Sequence, residues 1–418
     1  MGHEDVLFEF QHPVEPGQTS GGWMEQWEDK PISAGFGKLI ETIVEEKKSK
    51  VTPKIVNKEP NAAVFTMEEV EKHDNENDCW IVVRDRVYDC TSYLKLHPGG
   101  KDSILLFAGQ DCTEDFDAIH SDNATELLEK YYIGDLINGE KTNEEQKEDQ
   151  TVDKEQKLIA LDPKAKVRFP LHEKKILSSD SFLLDFALPT AEHTSGIPTG
   201  KHAFIYATIN GKSVMRAYTP VSSQDEQGHL RFVIKAYPPC EKFPKGGLMS
   251  QYLDSVNVGD FVEFRGPLGE IEYLSNGNFT FKGKSRKASY FNMVAGGTGI
   301  TPCFQVAAEI LRSTSDTTRI SLIYGARTKK DLLLKRELDK WAKEYPSRFK
   351  VHYVLDQGHH TSRSYSKGYV TKELFSKHFF EASPEVFTLM CGPKPMIEKA
   401  CVPNLVKLGH EETNIIEF

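Results

Sequence analysis

The chain has 418 residues, 39% of them hydrophobic, enough for about two to four domains with sizeable cores. A formal net charge of −10 argues against nucleic acid as a partner, and no run of 18 apolar residues offers a membrane span. Seven cysteines, at 79, 90, 112, 240, 303, 391 and 401, include no C-x-x-C pair, which argues against a zinc or iron–sulfur signature. Their number and irregular spacing suit a reducing compartment, and with no signal-peptide pattern at the start a cytoplasmic protein is expected.

In chain order, residues 1–24 contain an alternating apolar pattern (HEDVLFEFQHPVEPGQTSGGWM, 3–24) that reads as a single strand. Residues 25–61 form a first hinge, charged and Pro-broken from 43 onward. Residues 62–137 read as a compact unit. A second hinge covers 138–162. Its stretch 138–157 has no aromatic residue and only Val152 as an aliphatic larger than Ala, so it cannot bury enough surface to repay its ordering entropy. Residues 163–275 carry short strand-like runs (FLLDFAL, HAFIYATI, LRFVIKAY, DFVEFRG) with Gly/Pro punctuation, which predicts an antiparallel barrel. Residues 276–418 alternate apolar strands (ASYFNMVA, RISLIYGA, FKVHYVLD, EVFTLMCG) with helical stretches (CFQVAAEILRS, KRELDKWAKEY), an α/β parallel-sheet pattern.

The unit at 62–137 holds His97 and His120 among Leu94, Leu96, Ile104, Leu105, Leu106, Phe107, Phe116 and Ile119. Zinc would want four close ligands. Two imidazoles in a greasy setting suit haem with both axial positions filled, an electron-transfer centre. Pro98-Gly99-Gly100 would turn the backbone sharply after the first ligand. The stretches WIVVRDRVYDCTSYLKLHPGG and FDAIHSDNA resemble cytochrome b5 domains, and the resemblance implies His97 and His120 as haem b iron ligands. This unit carries 17 acidic against six basic residues, a net of −11, so electrostatic docking onto a neutral or locally basic partner is expected.

Four further motifs follow. RAYTPVSS (216–223) supplies Arg216, suited to a phosphate, the flat face of Tyr218 and the Thr219 hydroxyl. KGGLMSQYL (245–253) puts glycines before a helix start, where free N–H groups bind phosphate. AGGTGITP (295–302) is a Gly-rich strand-to-helix turn, although not the G-x-G-x-x-G fingerprint. MCGPKPMI (390–397) ends a strand where α/β sheets place ligands. In this order and spacing the motifs resemble the ferredoxin-reductase-like flavoenzymes, in their cytochrome b5 reductase branch. The resemblance implies FAD contacts for Arg216, Ala217, Tyr218, Thr219, Val233, Lys235, Tyr237, Phe243, Leu248, Met249, Ser250 and Thr301. It implies nicotinamide nucleotide contacts for Gly296, Gly297, Thr298, Gly299, Gly392 and Pro393, and catalytic roles for Thr219 beside the flavin ring and Cys391 beside the nicotinamide. Lys394 departs from the usual CGPPPM. Asp356 matches the acidic residue that favours NADH, whereas Lys329 or Lys330 could attract the extra phosphate of NADPH.

The whole is therefore α+β and multidomain: a cytochrome b5-like haem domain, an antiparallel FAD barrel and an α/β NAD-binding domain. That module order resembles the C-terminal half of eukaryotic assimilatory nitrate reductase, and residues 1–24 resemble a remnant of its molybdenum-domain dimerisation region. The resemblance implies electron flow from NADH through FAD to haem b, then to the molybdenum domain or another one-electron acceptor, with molybdopterin expected only in a domain absent from this chain. A free-standing cytochrome b5–b5 reductase fusion serving an acceptor such as a desaturase is the alternative. If the second hinge lets the haem domain move, shortening 138–157 should slow haem reduction and leave flavin reduction unchanged; equal haem reduction rates would refute that role.

Overall fold

The computed structural model describes residues 63–97, 101–120, 122–137, 158–241, 243–358, 362 and 364–418. Both hinges up to residue 157, the N-terminal strand pattern and the Pro98–Gly100 turn lie outside the described residues.

The first unit is built on β1 (Ala63–Phe65), β2 (Asp78–Val83), β3 (Arg86–Asp89) and β4 (Tyr132–Leu136). β3 pairs antiparallel with β2 and β4, and β1 lies parallel to β4. The helices α1 (Lys101–Leu105), α2 (Thr113–Ile119) and α3 (Asp122–Leu128) lie between β2/β3 and β4 in sequence and carry the apolar pocket. Leu94, Ile104, Leu106, Phe107 and Phe116 are buried in it. Leu96 departs from expectation and is 63% exposed: it ends the turn 94–96, on the solvent side, while Leu94 two residues before it is buried in the cluster.

The second unit is one antiparallel sheet in the order β8-β7-β10-β5-β6-β9, formed by β5 (Val167–Ser178), β6 (Ser181–Ala187), β7 (His202–Ile209), β8 (Lys212–Tyr218), β9 (His229–Lys235) and β10 (Phe261–Leu268). It wraps round a core of alternating inward residues, among them Phe186, Ala203, Ile205, Phe232, Val262 and Phe264, with α4 (Leu248–Ser255) supplying Met249 and Leu253. The same alternation turns Phe204 and Tyr206 of β7 outward, yet Tyr206 is only 2% exposed. What covers that outer face is the haem-type unit: Phe204 and Leu268 belong to its apolar cluster.

The third unit is a six-stranded parallel sheet, β14-β13-β12-β11-β15-β16, from β11 (Tyr290–Gly296), β12 (Arg319–Ala326), β13 (Phe349–Leu355), β14 (Tyr365–Lys367), β15 (Val386–Cys391) and β16 (Ile415–Glu417). β11 is buried along nearly its whole length, as a central parallel strand covered on both faces must be. α5 (Ile300–Arg312) has ten buried residues and takes Pro302 in its first turn, where no backbone donor is lost. A three-stranded antiparallel sheet over residues 271–287 precedes β11, and its Ile271, Tyr273 and Phe279 pack into this unit's core. The chain runs outward from β11 to β14 and returns on the other side as β15, so the switch point of the sheet lies between β11 and β15. Among the described residues no helix is long and apolar enough to cross a membrane.

Candidate functional site

The two histidines meet. Their ring centroids are 6.0 Å apart with planes at 46°. With a metal–imidazole bond of about 2 Å and each ring centre about 1 Å further back, two imidazoles that shared one metal ion between them would lie about 6 Å apart. His120 follows α2, and its Nδ1–H donates to the Phe116 carbonyl at 3.1 Å, which leaves Nε2 as the acceptor for a metal. Burial lowers its pKa, only partly opposed by the Phe116 carbonyl, which favours the neutral ring that a metal ligand needs. Phe116 stacks on it at 4.3 Å and Tyr93 lies edge-on to His97 at 5.9 Å. Among the described residues no group of three or more His, Cys, Asp or Glu side chains could hold a metal ion. Two opposed imidazoles in an apolar cradle fit haem and not zinc.

The segments expected to hold FAD converge at the ends of β8 and β9. Arg216, Ala217, Tyr218 and Thr219 close β8; Val233 and Lys235 close β9, with Tyr237 just beyond. Tyr237 is locked to the start of α4. Its N–H donates to Ser250 Oγ at 3.1 Å, its carbonyl accepts from Gly247 N–H at 2.9 Å, and Ser250 Oγ–H donates to the Gly247 carbonyl at 2.9 Å. Gly246, at φ +58°, has no room for a Cβ against the Tyr237 carbonyl. α4 therefore begins at Leu248 without a side-chain cap, its first N–H groups available to an anion, with Met249 and Ser250 buried behind them. Phe243 is half-buried and closes a tight turn with Cys240. Burial raises the pKa of both Tyr218 and Tyr237, so both phenols are neutral. Lys235 bridges two carboxylates, Asp180 at 2.8 Å and Asp331 at 2.6 Å, the latter in the nucleotide-binding unit. These bonds outweigh burial and hold its pKa up.

The nucleotide motifs interlock across the switch point. Ala295 and Cys391 are register partners on β11 and β15. A Cβ on Gly296 would lie 2.6 Å from Pro393 Cδ; one on Gly299 would overlap the Cys391 carbonyl; one on Gly392 would lie 3.1 Å from Gly296 Cα. Tyr324 supports the turn from below, donating to the Gly297 carbonyl and accepting from Leu333 N–H, each at 3.0 Å. Thr301 is buried and donates to the Thr298 carbonyl at 3.2 Å, while Thr298 hydrogen-bonds Tyr237 across the domain boundary. Burial pushes the Cys391 thiol up to about 12, so it packs and orients as a neutral group and is no thiolate nucleophile. Asp356 follows β13 at the carboxyl edge of the sheet, and its buried Oδ2 has no hydrogen-bond partner, an acceptor of the kind a ribose hydroxyl completes. Lys329 and Lys330 are exposed in a short 3₁₀ turn between Thr328 and Asp331.

Sequence reasoning missed Asp331, Tyr324 and Arg265. Asp331 carried one signal, its place three residues after Thr328 in a capping box; the other two look like ordinary strand residues.

Residues 66–137 match the family model of the cytochrome b5-like haem/steroid-binding domain, 168–273 that of the oxidoreductase FAD-binding domain and 293–402 that of the oxidoreductase NAD-binding domain. Fold, paired histidines and interlocked glycine turns define a nicotinamide-dependent flavohaem oxidoreductase. The chain is 44% identical to a nitrate reductase (NADH) 1 of Oryza sativa subsp. japonica and 43% identical to one of Phaseolus vulgaris, each over 97% of its own length. It spans 45% and 46% of those proteins, about half their length. The solved cytochrome b5 reductase domain of Ulva prolifera nitrate reductase is 39% identical, covering 62% of this chain and 100% of that one at a TM-score of 0.60. The chain belongs to the nitrate reductase family.

Proposed function

We propose that the chain carries electrons from NADH through FAD to haem b and on to a molybdenum centre that reduces nitrate to nitrite, in the cytoplasm. The observation that carries this reading is the match to plant nitrate reductases over 97% of the chain, through all three units in one order. FAD supplies the exchange of a two-electron hydride for single electrons. Arg216 and the start of α4 would hold its phosphates, and Tyr218, Thr219 and Tyr237 its ring system. Gly296, Gly297 and Gly299 leave room for a dinucleotide, and Cys391, Gly392 and Pro393 set the nicotinamide against the flavin. His97 and His120 hold the iron.

The test is anaerobic stopped-flow spectroscopy of the haem- and FAD-loaded chain with NADH, then NADPH. Flavin bleaching followed by reduced haem bands is expected, faster with NADH; haem that stays oxidised refutes the relay. Mixing the reduced chain with the molybdenum domain of the rice relative and nitrate should yield nitrite; haem that is not reoxidised would exclude that acceptor.

Asp356 makes the coenzyme preference measurable. A hydrogen bond to a charged group is worth about 1.5–3 kcal/mol. Asp356→Ala removes that acceptor and the repulsion of a 2′-phosphate, so the NADPH/NADH ratio of kcat/KM should rise about 10- to 100-fold. An unchanged ratio would take Asp356 out of the ribose site.

A further inference from the structure

Arg265 lies near the end of β10, yet its guanidinium is spent almost wholly on the haem domain. It is 4% exposed. Nη2 donates to the Leu106 carbonyl at 2.8 Å and to Gln110 Oε1 at 3.1 Å, Nη1 lies 3.8 Å from Asp115 Oδ2, and the plane stacks on Phe107 at 4.2 Å. Toward its own unit, Nε donates to the Pro163 carbonyl at 2.8 Å. This is a socket for a planar, forked cation, which lysine could not fill. Around it Phe204 and Leu268 join the haem domain's apolar cluster, and at the rim Lys166 pairs with Glu114 at 3.4 Å and Lys164 with Asp74 at 3.2 Å. An arginine anchor, a small apolar core and a charged rim are the anatomy of a specific interface.

Two features give the contact a purpose. α2, which leads directly into the ligand His120, packs on β8, which leads directly into Tyr218 and Thr219. And a polar pair closes the seam: the buried Tyr206 hydroxyl of β7 faces the buried Asp115 carboxylate of α2, a donor from one unit against an acceptor from the other.

We propose that this face is the seat in which the haem domain accepts electrons from the flavin, and that Arg265 is its positioning residue. The inference rests on the relay proposed above. In the seat, reduced flavin gives up one electron and ferric haem becomes ferrous; no covalent bond between them forms or breaks, NADH is the source of the electrons, and the flavin's protons pass to water. Each hydride leaves the flavin in two such steps, with the haem discharging to its acceptor between them.

Arg265→Ala in the full, loaded chain should slow haem reduction by NADH about 30-fold or more, the lower end of the scale for truncating a buried, hydrogen-bonded interface charge, while flavin bleaching and NADH–ferricyanide turnover stay native. Haem reduction at the native rate would overturn the proposal. An independent readout needs no variant: zero-length carbodiimide coupling of the native chain, followed by peptide mass spectrometry, should join Lys166 to Glu114 or Asp115. The coupled fraction should still reduce its haem. No such cross-link, or a coupled chain whose flavin bleaches while its haem stays ferric, would overturn the seat. An uncoupled native chain whose haem is never reduced by NADH would instead sink the relay itself.

Discussion

His120→Ala is expected to give a folded flavoprotein that cannot hold haem. The imidazole is held by its Nδ1–H bond to the Phe116 carbonyl and by the stacked Phe116 ring, with its centre 6.0 Å from that of His97, so the ligand ring is placed before any iron arrives. Loss of an outer-shell partner of a metal-bound histidine typically costs about 10- to 100-fold in affinity, and removing the ligand itself should exceed about 100-fold. Purified H120A should lack the six-coordinate haem spectrum and show no NADH-dependent haem bands. Flavin bleaching and ferricyanide turnover should be native, because the residues proposed for FAD and nucleotide lie on other elements. His97→Ala should behave alike. A variant that retained two-imidazole haem bands would mean that another residue ligates the iron. Phe116→Ala offers a graded version: haem is retained but bound more weakly, since the ligand ring loses its packing partner and keeps its carbonyl acceptor.

Much of this was legible because the signals are local. β11, β12, β13 and β15 read as strands from short apolar runs, and the helix after AGGTGITP from its apolar stripe, because a doubly covered parallel sheet leaves few polar positions to confuse. The haem ligands were legible because each sits in its own apolar frame. β5 was not: Pro170 and the charges of HEKK break the alternation, and Ile176 remains 77% exposed. Leu96 looked like pocket lining because composition cannot tell which side of a turn faces in. The hardest case was the outer face of β7. Phe204 and Tyr206 read as the out-facing half of an ordinary alternating strand, and Arg265 as the polar end of DFVEFRG. Their partners lie roughly a hundred or more residues earlier, in a domain beyond a charged hinge. The acidic surplus of residues 62–137 hinted at a basic partner, but no local period could say which lysines and which arginine would face it.

Gly299→Ala should damage the enzyme far more than Gly297→Ala, two residues apart in the same turn. Gly297 has φ +56° and open space where a Cβ would go. Alanine there meets only the left-handed penalty, about 1–2 kcal/mol, borne mostly as stability. Gly299 has an ordinary helical φ of −63° and no conformational need to be glycine. Its need is spatial: the added methyl would overlap the Cys391 carbonyl and lie 2.9 Å from Gly392 N, all of it backbone at the end of β15. Backbone held in a parallel ladder cannot rotate away as a side chain could, so the turn and the Cys391-Gly392-Pro393 segment must separate. These are the two walls proposed to set the nicotinamide against the flavin, and a misplacement of about 1 Å in such a geometry can cost about 100-fold in rate. Flavin reduction by NADH in G299A should therefore fall about 100-fold, with FAD and haem contents unchanged. G297A should keep most of its rate and lose thermal stability. Equal losses in both variants would mean that conformation, and not the contact between the two strand ends, governs this turn. A G299A chain with native hydride transfer would place the nicotinamide somewhere other than the switch point between β11 and β15.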